Sequence, residues 1–134
     1  MKFPLQIFGK LSNQQKGLRG EFEVAHYLKE KGFKILVKRY RCRFGEIDLT
    51  ARDKNTLVFV EVKTRSSSDF GAPSLAVTTQ KQKHISRVAL DYLRRLNHPP
   101  IAVRFDIVEV TCSDSKIEFQ HIQDAFPLSE PFIY

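Results

Sequence analysis

The chain has 134 residues, a length for one domain with a proper core, and the apolar and charged fractions of a soluble globular protein. Its formal net charge is +7, from 22 lysines and arginines against 15 acids, which favours a polyanionic partner, either nucleic acid or an anionic membrane surface. Two cysteines, Cys42 and Cys112, with no CxxC spacing, argue against a disulfide framework and a zinc site. No stretch approaches the length of a membrane span, and the opening MKFPLQIFGK lacks the long apolar region and cleavage site of a signal peptide. A cytoplasmic protein with reduced thiols and no membrane partner is the expectation.

Residues 1–12 read as an arm, with Phe3, Leu5, Ile7 and Phe8 apolar enough to dock on the body or on a partner. Asn13 to Lys31 has helical spacing, with Leu18, Phe22, Ala25 and Leu28 as the inward stripe and Gly32 as the stop. Glu21 falls inside that stripe, whereas Glu23 points the other way and reads as surface. A carboxylate on a buried face needs a partner. It is either half of a salt bridge or a group with a chemical task. Gly17 and Gly20 flank it and suggest a close approach of backbone or substrate. Phe33 to Val37 fits a buried strand. Lys38, Arg39, Arg41 and Arg43 then surround Tyr40, a composition that suits phosphate binding and base stacking, or simply a solvated basic loop.

Phe44 to Arg65, FGEIDLTARDKNTLVFVEVKTR, reads as two strands joined by a turn at Asp53-Lys54-Asn55-Thr56. If Lys54 and Asn55 are the turn centre, Asp48 lies opposite Glu61 and Glu46 opposite Lys63. Residues two apart on a strand, and directly opposed pairs, share a face. So Glu46, Asp48, Glu61 and Lys63 project from one side, with Ile47, Leu49, Val60 and Val62 as core on the other. Repelling carboxylates need an offset. A divalent cation supplies one, and hard Mg²⁺ prefers carboxylate oxygens. Cross-strand ion pairs, Glu46 with Lys63 and Asp48 with an arginine, are the alternative.

Arg65 to Pro73, RSSSDFGAP, is a loop by composition and borders this face. Thr78 to Asn97 reads as a second helix, with Thr79 and Gln82 as a capping box and Ile85, Val88, Ala89, Tyr92, Leu93 and Leu96 as the core stripe. Lys81 lies in its first turn, where a cation is unfavourable against the helix dipole unless an anion is near. Ile101 to Val110 and Lys116 to Ile122 alternate as two further strands across Ser113-Asp114-Ser115, with Arg104 and Asp106 reading as a structural ion pair. An irregular tail covers 124–134, leaving 13–123 as the domain. The order helix, strand, hairpin, helix, strand, strand is an α/β fold with a mixed central sheet flanked by helices.

GEIDL followed by VFVEVKTR resembles the PD-(D/E)xK nuclease motif, and from Gly17 to about Val110 the pattern is similar to the YraN-like family of predicted nucleases, relatives of archaeal Holliday junction resolvases. The resemblance implies a restriction-endonuclease-like core. It implies hydrolysis of phosphodiester bonds by Asp48, Glu61, Lys63 and Glu21, with Asp48, Glu61 and Glu21 holding Mg²⁺ or Mn²⁺. It also implies nucleic-acid contacts through Lys81, Arg41, Arg43, Arg39, Lys38 and Arg65, on DNA rather than RNA, with a junction or flap structure as target and a homodimer as the assembly. The family has Asn where this chain has Arg39. A non-catalytic nucleic-acid-binding module and an interaction protein using the apolar termini remain as alternatives on the same fold.

Overall fold

A computed structural model describes residues 12–66, 77–113 and 116–129. The chain runs α1 (Asn13–Glu30), β1 (Lys34–Cys42), β2 (Gly45–Asp53), β3 (Thr56–Ser66), α2 (Thr79–Arg95), β4 (Ala102–Cys112) and β5 (Ile117–Phe126). The strands form one sheet in the order β1-β2-β3-β4-β5, antiparallel except for the parallel β3–β4 pair. This is the expected mixed sheet of an α/β fold, consistent with a restriction-endonuclease-like core.

Alternation along β3 explains the layers. Val58 and Val60 pack with Val24, Ala25 and Leu28 of α1, while Leu57 and Phe59 pack with Ile85, Val88, Ala89 and Leu93 of α2. The parallel β3–β4 centre is apolar on both faces because a helix covers each. The hairpin register is the expected one: Leu49–Val60 to Asp53–Thr56, with Lys54 left-handed at φ 56° in the turn.

Several expectations are corrected. Leu18 and Phe22 are exposed, and Glu23 is buried in an ion pair with Arg19 at 3.0 Å. The reason is Gly20: a Cβ there would lie 2.1 Å from Thr64 Oγ1, so α1 is rolled to lay Gly20 on β3. Gly17 has open space around it and no such role. The basic run Lys38 to Cys42 is strand rather than loop. Thr78, not Thr79, caps α2 by accepting from Lys81 N–H, and Gln82 bonds the Val77 carbonyl. Leu96 is exposed. β5 continues into the segment expected to be an irregular tail. The arm 1–11, the Ser67 to Pro73 part of the loop, Asp114-Ser115 and 130–134 lie outside the described residues. Among those described, no helix is long and apolar enough to cross a membrane.

Candidate functional site

The site lies where β2 and β3 part. Their ladder stops at Leu49–Val60, one step short of Asp48 and Glu61. Beyond that point β2 pairs only with β1, and β3 only with β4. The N–H of Val62 donates to Asp48 Oδ2 at 2.8 Å instead of to a β2 carbonyl. Ile47 also packs in the α2 cluster and Leu49 in the α1 cluster, so β2 exchanges faces at Asp48, and Ile47 does not share a side with Leu49 as expected. β1 breaks at the same level. Its ladder passes from Lys38–Leu49 to Tyr40–Ile47 and skips Arg39, whose φ is 54°.

Asp48 and Glu61 come together as expected, with a hydrogen bond between their carboxyl groups. Burial first, and then Glu61, push Asp48 up to about 8, against the opposing pull of the Val62 N–H and the Lys81 charge. Two oxygen acids forced into contact need a proton or a cation between them. The donor set is hard oxygen only, which suits Mg²⁺ or Mn²⁺. Lys63 follows two residues after Glu61 on the same, α2-facing side of β3. Lys81 reaches across from α2, its Nζ 3.4 Å from Glu61 Oε2, so the anion beside the start of this helix is Glu61.

Glu21, expected as the third carboxylate of the site, is held by an arginine. Arg39 Nε donates to both of its oxygens, at 3.1 Å each. Burial does most to raise the Glu21 pKa, the Arg39 hydrogen bond opposes this, and the Asp48 and Glu46 charges add to it, so the three acids share one electrostatic neighbourhood. Among the described residues, no set of three Asp, Glu, His or Cys is arranged to hold a metal. Glu21, expected as third ligand, is paired with Arg39 in the structure. Glu46 pairs with Arg41 Nε at 2.8 Å across the β1–β2 register, not with Lys63.

The basic residues are dispersed. Lys38, Arg41 and Arg43 are exposed on or just after β1, Arg43 over the Phe44 ring. Arg65 lies 3.8 Å from Glu109, a buried carboxylate in register with Lys63 that the sequence reading passed over. Its signal was available: an acid inside the apolar run IVEV. Arg104 and Asp106 form the expected structural pair, at 2.9 Å.

Fold and site together define an α/β protein with a half-buried two-carboxylate pair, followed by a lysine, at a split in its sheet. The chain belongs to the Uncharacterised protein family UPF0102, whose model matches residues 20–110 and so spans every residue of the site. Its relatives include UPF0102 proteins of Geobacter metallireducens (44% identical over 119 residues, 89% of this chain and 98% of the relative) and of Syntrophus aciditrophicus (46% over 123 residues, 92% and 97%). Another is that of Alkaliphilus oremlandii (47% over 116 residues, 85% and 99%). The YraN-like resemblance is borne out at this level.

Proposed function

We propose that this protein is a metal-dependent nuclease of the PD-(D/E)xK type that hydrolyses phosphodiester bonds in structured DNA, such as junctions or flaps, rather than in RNA. The observation that supports this most is the Asp48–Glu61 contact at the end of the β2–β3 ladder, with Lys63 two residues on. Asp48 and Glu61 are the groups for Mg²⁺ or Mn²⁺, which when bound acidifies a water and offsets charge on the phosphate. The Val62 N–H holds Asp48 by one oxygen. Lys63 brings an ammonium to the same side of β3, where it donates to the attacking water or to the phosphate oxygens as charge develops on them. Lys81, half-exposed on the α2 side, releases Glu61 and takes a backbone phosphate. A two-fold dimer suits a symmetric branched substrate.

The test is cleavage of single-stranded, duplex, flap and four-way-junction DNA with Mg²⁺ or Mn²⁺, beside EDTA and the Glu61→Ala, Lys63→Ala double variant checked for folding. Cutting that requires metal and is absent from the double variant is expected. A second reading, a binding module without catalysis, draws support from the internal cations Arg39 and Lys81 already standing on Glu21 and Glu61. Salt-sensitive binding with no cutting on any substrate selects it.

A further inference from the structure

Arg39 departs from the resembled pattern, and its geometry is unusual in three respects. It is left-handed in mid-strand, φ 54°, at the ladder position opposite Asp48. A non-glycine residue adopts that conformation at a cost and keeps it where the surroundings hold it. Its Nε–H straddles both oxygens of Glu21, 3.1 Å from each. A guanidinium carries five N–H donors. The four on the terminal nitrogens have no protein partner among the described residues. The exposures agree: the Glu21 side chain is 12% exposed, that of Arg39 34%. The carboxylate is more covered than the arginine that holds it.

We propose that Glu21 is the anchor of a phosphate-binding arginine rather than a metal ligand: Arg39, held through Nε, presents its terminal nitrogens to a backbone phosphate beside the Asp48–Glu61 pair. This rests on the reading of the protein as one that binds nucleic acid. A cation on Glu21 has to displace an arginine that holds both oxygens, and would then face its positive charge. A phosphate displaces nothing, and it matches the planar fork in a paired hydrogen bond. The β1 break aims the side chain at α1. The close seating of Gly20 on Thr64 keeps Glu21 in place to receive it.

Two measurements independent of cleavage decide it. In EDTA, binding of a short fluorescent duplex is followed against salt. Arg39→Ala is expected to bind about tenfold more weakly, with the slope of log affinity on log salt smaller by about one. Arg39→Lys, which keeps the charge but has no fork, does not restore the affinity. In calorimetric titration with Mn²⁺ alone, Glu21→Gln still binds, with at most a modest loss from the shared charge, while Asp48→Asn loses binding. Wild-type affinity and slope in Arg39→Ala overturn the proposal, as does loss of Mn²⁺ binding in Glu21→Gln. Arg39-dependent binding without cutting sinks the nuclease reading and leaves this inference standing. A wild type that binds no DNA sinks both.

Discussion

At Asp48 one side chain carries opposing demands. Burial and the neighbouring Glu61 hold its pKa near 8, against an ordinary value of 3.8. Between those values the folded state keeps a proton that the unfolded chain releases. The contribution of this group to stability is therefore fully present below about pH 4 and is lost as pH rises towards 8. Thermal melts of the metal-free wild type are expected to drop by several degrees from about pH 5 to about pH 8, and those of Asp48→Asn to stay level by comparison. A metal ion competes with the same proton. Mn²⁺ affinity is thus expected to climb with pH up to about 8, with proton release visible as a buffer-dependent heat. An affinity independent of pH over that window counts against Asp48 as a ligand.

The element that delivers Glu21 is α1, and its seating depends on one missing methyl group. Glycine costs a helix interior about 1 kcal/mol relative to alanine, so Gly20→Ala should stabilise a free helix. Here the added Cβ meets Thr64 Oγ1 at 2.1 Å, with Thr64 Cβ and Val110 Cγ1 each at 3.2 Å. Overpacking of that kind costs about 1–3 kcal/mol. The clash outweighs the helical gain, and Gly20→Ala is expected to lower stability in urea unfolding. Adding Thr64→Ala should recover part of the loss, because the two sites touch and their effects do not add. Full additivity contradicts the contact. β1 shows the other side of element-scale control. Its basic run is a strand because β2 offers an antiparallel partner on either side of the break at Arg39 as far as Cys42–Gly45, and Gly45, at φ 133°, makes the return.

Across the whole molecule, Asp106, in register with Val60 on the neighbouring strand, ties several elements together. It is fully buried and bonded to Arg104, His121 and the Asp124 N–H. Arg104 reaches the hairpin turn at Asp53, 3.0 Å away, and His121 reaches Lys31 just after α1, 3.2 Å away. Burial alone pushes the Asp106 pKa up, but the bonds from His121, Arg104 and Asp124 outweigh it and hold it below the usual value. Its contribution is present above about pH 4 and is lost as pH falls through the lowered folded value. Asp48 thus weakens the fold on the alkaline side, and Asp106 on the acid side. Asp106→Ala is expected to cost about 3–5 kcal/mol in denaturant unfolding, since it leaves the Arg104 guanidinium and the His121 ring without their carboxylate. It should also flatten the acid limb of the melting curve.

Periodicity and turn chemistry alone determined a good deal. The two helices, the hairpin centred on Lys54 and Asn55, the five strands and the Asp48–Glu61 juxtaposition are all legible in the chain, because each depends on near neighbours or on one short turn. The phase of α1 was not legible. Leu18 and Phe22 are as apolar as a core stripe requires, yet contact with Thr64, far along the chain, decides which side turns inward. Nor was the fate of Glu21. Its partner Arg39 is eighteen residues away and on another element, and only the packed sheet, with its break at Asp48, brings the two together. Local pattern specifies elements because their hydrogen bonds are local. Pairings between elements depend on distances that the folded sheet alone sets.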